Sequence, residues 1–142
     1  AIEEDRKLDG TISIDDLDYK KRGWKVHDFL EVVVIDGVAY SHYFTSGEKG
    51  LPINTARALA TKKHMSCTAG HSQKSDLDMS QVTADGRKII GLMCGICYLH
   101  NEAYLGPQGN STRRQIVVKH EVYQGSYDPM MVSLDYLKRE YS

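Results

Sequence analysis

Two histidines stand where short apolar runs end. Val38-Ala39-Tyr40-Ser41-His42-Tyr43-Phe44 runs into Thr45-Ser46-Gly47, and Met65-Ser66-Cys67-Thr68-Ala69 runs into Gly70-His71-Ser72-Gln73. Neutral imidazole binds Zn, Mn, Fe or Ni, and a carboxamide oxygen is a weaker ligand for the same ions. His42, His71 and Gln73 therefore form a candidate metal constellation. The alternative for each histidine is a hydrogen-bonded structural residue at a strand end. Two histidines do not complete a site that acts on phosphate esters, because two ions there need carboxylates to balance and bridge them. Asp76 and Asp78 are close in sequence, but their stretch is polar and without clear strand register, so a solvated loop is expected for both.

Two further groups carry chemistry-bearing side chains. Cys67 and His71, with Cys94-Gly-Ile-Cys97 and His100 downstream, offer the ligand types of a tetrahedral zinc. Cysteines three apart on a strand point to opposite faces, however, so the favoured reading is free cysteines acting as small buried hydrophobes. The loop Gly106-Pro-Gln-Gly-Asn-Ser-Thr-Arg113-Arg114 combines glycines, hydroxyls and two guanidinium groups able to grip a phosphate in forks. It has no Walker or Gly-x-Gly-x-x-Gly pattern, and an exposed loop is the plainer expectation.

The elements that must position these residues follow from local patterns. Phe29 to Ile35, centred on Val32-Val33-Val34-Ile35, reads as a buried strand, and Asp36-Gly37 before Val38–Phe44 is a strong hairpin signal. Pro52-Ile53-Asn54-Thr55 opens a helix that Asn54 or Thr55 caps; Ala56, Ala58, Leu59 and Ala60 favour it, and Lys62-Lys63-His64 suits its last turn. A strand over 65–69 follows. The order strand, helix, strand predicts a βαβ unit around residues 38–70 with parallel strands, which carries both histidines to the same end of a sheet. Leu77, Met79 and Val82 mark a weak strand, and Asp85-Gly86 a second hairpin. Lys88 to Leu99 reads as a central strand, bent or closely approached at Gly91 and Gly95. A polar loop spans 101–112, a strand 115–123, a turn Asp128-Pro129, and a strand or short helix 132–141. Near the start, residues 1–10 read as a frayed end or short helix and Thr11–Ile14 as a short strand. Ser13 or Asp15 caps a short helix through Leu17 and Tyr19, and Trp24 is expected to anchor the edge of the core.

Composition sets outer bounds. The 142 residues hold 41% hydrophobic and 26% charged side chains with a formal net charge of −1. Those values suit a single domain over 1–142 with a real core, and they do not indicate broad non-specific binding to nucleic acid. No apolar run reaches the roughly 18 residues of a membrane span. Three cysteines, an odd number without disulfide-scaffold spacing, point to a reducing compartment.

The chain resembles the C-terminal half of calcineurin-like metallophosphoesterases, in particular a bacteriophage-type branch. The resemblance rests on Asp36-Gly-Val-Ala-Tyr-Ser-His-Tyr-Phe44, on Ala56-Arg-Ala-Leu59, and on Gly70-His-Ser-Gln73. It rests also on the tail segments Tyr123-Gln-Gly-Ser-Tyr-Asp-Pro129 and Ser133-Leu-Asp-Tyr-Leu-Lys-Arg139. It covers the chain from about Thr11 onward. The fold it implies is α+β, part of a β-sandwich flanked by helices. The activity it implies is hydrolysis of phosphate esters by two divalent ions (Mn, Fe, Zn or Ni) held at strand ends. By position, His42 matches the histidine before the last motif and His71 the first histidine of the Gly-His motif. Gln73 stands where many members have a second ligating histidine, and Arg113 and Arg114 are candidate phosphate contacts. The early motifs Asp-x-His, Gly-Asp-x-x-Asp and Gly-Asn-His-Asp/Glu are absent from this sequence. The resemblance therefore implies a chain that works with an N-terminal half of the same enzyme, or that self-associates, on a nucleotide or nucleic-acid substrate. It implies a setting in the cytoplasm, the host's if the chain is phage-encoded. The competing expectation is a non-catalytic, phage-derived interaction domain that keeps the scaffold without the metal centre.

Overall fold

Asp36 and Gly37 have φ of 47° and 81°. Positive φ at both central residues is the type I′ turn, whose twist matches that of the strands it joins. It links β1 (Val33–Ile35) to β2 (Val38–Ser41) in an antiparallel pair with Val34 opposite Ala39. The structure, a computed structural model, describes residues 15–142 apart from Glu48. The expected strand at 11–14, the Ser13 cap and the reading of residues 1–10 lie outside the described residues. A single 3-10 turn spans Asp15–Leu17.

After β2 the chain forms a small hairpin, β3 (Thr45–Ser46) with β4 (Leu51–Pro52), and enters α1 (Ala56–Lys63). Thr55 caps α1 by accepting from the Ala58 N–H at 3.3 Å. The Ala56 N–H is taken by the Asp76 carboxylate at 3.0 Å. Two of the helix's orphan donors are thus satisfied, one from a distant strand. The chain returns as β5 (Ser66–Ala69), parallel to β2 with Ala39 opposite Cys67 and Ser41 opposite Ala69. The expected βαβ unit is present.

β6 (Ser75–Val82) and β7 (Lys88–Cys94) form the Asp85-Gly86 hairpin, and β7 lies parallel to β5 on its other side. The result is a mixed five-stranded sheet, β1-β2-β5-β7-β6, in an α+β fold. β5 is central and buried along its whole length. Helix α1 covers one face, packing Leu59 and Ala56 on Ala39, Cys67, Ala69 and Met93. At Gly91 the approach is so close that a Cβ would lie 1.9 Å from the Ala56 carbonyl oxygen, so only glycine fits. The other face carries a separate two-stranded hairpin, β8 (Gln115–Tyr123) with β9 (Ser126–Ser133), seated through Tyr127 and Val122 on Val38 and Ile90. Between β7 and β8 a 3-10 turn at Ala103–Leu105 leads into the short α2 (Gly106–Asn110), and α3 (Leu134–Tyr141) ends the chain.

Several expectations are corrected. The Phe29–Ile35 run pairs only over 33–35 and is not buried: Phe29, Val32, Val34 and Ile35 are exposed, because β1 is the outer edge of the sheet. β-branched residues mark extended backbone, not burial. Asp76 and Asp78 lie on β6 and not in a solvated loop. The 88–99 run stops as a strand at Cys94, where Gly95 turns at φ 77°. Asp128-Pro129 is inside β9; the turn falls instead at Gln124-Gly125, again with positive φ at both residues. Trp24 is exposed and anchors nothing in the core, and Cys97 is exposed where burial was expected.

Candidate functional site

The parallel pairing of β2 with β5 continues one step past both strands, where the Gly70 N–H donates to the His42 carbonyl at 3.1 Å. This contact fixes the two backbones that carry the histidines. His71 then turns at φ 59° and Gln73 at φ 54°, conformations that non-glycine residues adopt at some cost. The turn is closed by the Ser72 N–H on the Gly70 carbonyl at 2.7 Å.

These turns bring His42 Nε2 to 3.1 Å from His71 Nδ1, with the rings 74° apart. One nitrogen donates and the other accepts, so the contact accommodates a single shared hydrogen. Both histidines are exposed. Tyr43 packs 4.8 Å from the His71 ring and Phe29 5.6 Å from the His42 ring, leaving the imidazoles braced by aromatic neighbours. Two imidazole nitrogens about 2.0–2.1 Å from one ion at a tetrahedral angle are themselves about 3.3 Å apart. The observed separation of 3.1 Å is near that distance, and it is also that of an ordinary hydrogen bond between the two rings. Among the described residues no cluster of three or more His, Cys, Asp or Glu side chains surrounds it.

Gln73 is held separately: its amide nitrogen donates to the Tyr104 hydroxyl at 2.9 Å, and among the described residues its carbonyl oxygen accepts no hydrogen bond. The zinc constellation does not assemble. Cys67 is buried on the helix face with its thiol on the Met65 carbonyl, Cys94 is on the opposite face, and Cys97 is exposed. His100 stacks on Tyr98 and bonds Glu102. The two arginines brace their own loop. Arg113 donates to Gln115 Oε1 at 2.7 Å, while Arg114 donates to the Leu99 carbonyl and to Asn101 and lies over the Tyr98 ring.

A cleft of about 510 Å³ opens beside the histidine pair on the hairpin face of the sheet. His42 and Gly70 line one end, Tyr40 and Thr68 its floor, and His27 and Glu31 the opposite rim. His27 Nδ1 and the Glu31 carboxylate are 3.0 Å apart, and this hydrogen bond, with one from the Asp28 N–H, holds Glu31 below the usual carboxylate range. The sequence reading missed the rim and the floor. Glu31 falls inside the expected 29–35 strand and His27 just before it, so no sequence signal joined the two, although they stand four apart, a spacing that suits a compact turn. Lys119, from β8, does not line the cleft itself but bonds to both floor residues: its ammonium donates to the Tyr40 hydroxyl at 2.9 Å and to Thr68 Oγ1 at 2.5 Å. Nothing local to residue 119 signals that contact.

No protein-family model, curated protein or solved structure matches this chain. Among the described residues no helix is long and apolar enough to cross a membrane.

Proposed function

We propose that the chain is the C-terminal part of a metal-dependent phosphoesterase or nuclease of the calcineurin-like, bacteriophage-type kind, and that it contributes His42 and His71 to a dinuclear divalent-metal site. The observation that carries this reading is the 3.1 Å approach of the two ring nitrogens at the ends of adjacent parallel strands, beside an open cleft. Strand ends of this kind are rigid supports, and they hold imidazoles in place without help from a bound ion. Bound there, Mn, Fe, Zn or Ni supplies Lewis-acid charge to a phosphoryl oxygen. The chain itself orients the two imidazoles through the Gly70–His42 backbone contact and braces them with the rings of Phe29 and Tyr43. Gln73 offers its carbonyl oxygen as a weaker third ligand.

Carboxylates for the remaining positions come from an N-terminal half or a second copy. The outer edge of β1, where Val34 and Ile35 are exposed, with Phe29 and Val32 exposed just before it, offers unpaired strand backbone to such a partner. In that assembly the sheet and hairpin become part of a metallophosphoesterase-like sandwich. The three free cysteines favour the reducing cytoplasm. A second reading is a non-catalytic interaction domain: among the described residues no His, Cys, Asp or Glu joins the pair, and Gln73 is only a weak ligand.

Metal titration by calorimetry separates the two. The phosphoesterase reading expects Mn or Zn to bind the chain and binding to vanish in His42→Ala and His71→Ala. It expects hydrolysis of a chromogenic phosphodiester only when an N-terminal half is added. Absence of metal binding and of activity in both preparations would leave the interaction domain.

A further inference from the structure

We propose that Tyr40 and Thr68 on the floor of the cleft, with Lys119 bonded to both, form an oxyanion site occupied by a second phosphate of the substrate. Its identification as phosphate rests on the phosphoesterase reading, whereas the anion site itself rests on geometry alone. The Lys119 ammonium is half-buried between Tyr40 and Tyr127, 4.1 Å and 4.7 Å from their ring centres. No carboxylate among the described residues is ion-paired with it. Buried cations are ordinarily paired, so this one lacks its counter-charge.

The hydrogens around it point the same way. An ammonium has three N–H donors, and Lys119 spends two, on the Tyr40 and Thr68 hydroxyls. Each hydroxyl accepts from the lysine and so keeps its own hydrogen to give. The Tyr127 hydroxyl lies buried beside Thr68 without a hydrogen-bond partner of good geometry. The cluster is therefore rich in donors and poor in acceptors, the pattern an oxyanion completes. Burial meanwhile pulls the amine's pKa down to about 8, the cost of a charge without a partner.

The place in the cleft gives the substrate class. Tyr40 and Thr68 line the cleft together with His42. Tyr40 precedes His42 by two residues, roughly 7 Å at about 3.3 Å per strand residue. A phosphoester reacting at the histidine pair would carry its second anionic group about that far away, as a nucleotide chain or a nucleoside polyphosphate does.

The test uses inorganic phosphate and the whole chain, stripped of metal with EDTA, at constant ionic strength. Carbon-13 NMR follows the Lys119 Cε titration, with Lys119→Met identifying the signal. The titratable neighbours on each packed strand are Tyr40 on β2, Cys94 on β7 and Tyr127 on β9, and all are followed in parallel. Saturable phosphate binding should raise the Lys119 midpoint by about one pH unit. Lys119→Met should weaken phosphate binding at least about tenfold, Tyr40→Phe should weaken it less, and exposed Lys88→Met should leave it unchanged. His42→Ala should retain phosphate binding whether or not the histidines hold a metal, so failure of the metal reading does not disguise failure here. An unmoved Lys119 titration, or phosphate binding undiminished in Lys119→Met, would overturn the anion site. Acetate binding more tightly than phosphate would overturn its assignment to phosphate.

Discussion

The two faces of the central sheet are made by alternate residues of the same strands, yet they do opposite jobs. Toward α1 the strands present Ala39, Cys67, Ala69, Gly91 and Met93, small or flexible apolar groups that let the helix backbone press onto the sheet. Toward β8 and β9 they present Val38 and Ile90 at one end and Tyr40, Thr68 and Cys94 at the other. The first face is closed and dry. The second is closed only at its apolar end and opens into the cleft where its side chains turn polar. Stability is concentrated on the helix face and ligand chemistry on the hairpin face, and the strand period of two keeps them apart.

Substitutions should respect that division. The largest effect is expected from Gly91→Ala, because the added Cβ meets helix backbone that has nowhere to retreat. A loss of about 3 kcal/mol or more is expected in urea unfolding; a near-neutral outcome would show that the helix face tolerates far looser packing. Next is His71→Ala, on the side of ligand chemistry. It should lower Zn affinity a hundredfold or more, about 2.7 kcal/mol, while changing folding stability by about 0.5 kcal/mol or less because the ring is exposed. A stability loss as large as that of Gly91→Ala would erase the distinction between the faces.

Asp76→Ala removes the carboxylate that receives the Ala56 N–H at the start of α1, and should cost about 1 kcal/mol in thermal unfolding without altering metal affinity. The smallest effect is a change in the shape of the pH profile. Above pH 8 the folded Lys119 amine has released its proton while the unfolded one keeps it to about 10.5, so this group makes stability rise with pH over that window. Cys67, whose thiol burial pushes up to about 11, and the raised Tyr40 and Tyr127 act in the opposite direction once their unfolded counterparts ionise. The difference between wild-type and Lys119→Met melting curves isolates the lysine. It should favour wild type increasingly from pH 8 to 10, by under about 1 kcal/mol after solvent screening. A flat difference would show that Lys119 is solvated like an ordinary surface lysine.

Much of the helix face was legible in advance. Thr55 as cap, the alanines of α1 and the close approach at Gly91 are local signals, and each is where the pattern put it. The hairpin face was not. Asp128-Pro129 has turn chemistry, but pairing with β8 draws it into a strand, with Pro129 opposite Lys119. Asp76 reads as a loop residue from its polar neighbourhood, because its carboxylate is explained only by the N-terminus of α1, 20 residues upstream, packed on the same face of the sheet. The β1 run advertised burial through its valines, but an edge strand has no neighbour to bury them.

By itself the sequence determined what short-range backbone preference can settle. It placed hairpins at Asp36-Gly37 and Asp85-Gly86, α1 between two strands, and His42 and His71 each near a strand end. The tertiary structure alone decided that those strands are neighbours in register, which brings together imidazoles 29 residues apart. It alone carried Lys119 across 79 residues to Tyr40 and 51 to Thr68. Turns and caps are fixed by the φ/ψ and hydrogen-bonding habits of adjacent residues. Strand partners and the polar groups between them are fixed by which long loops close and which faces become buried, and no window of neighbouring residues contains that information.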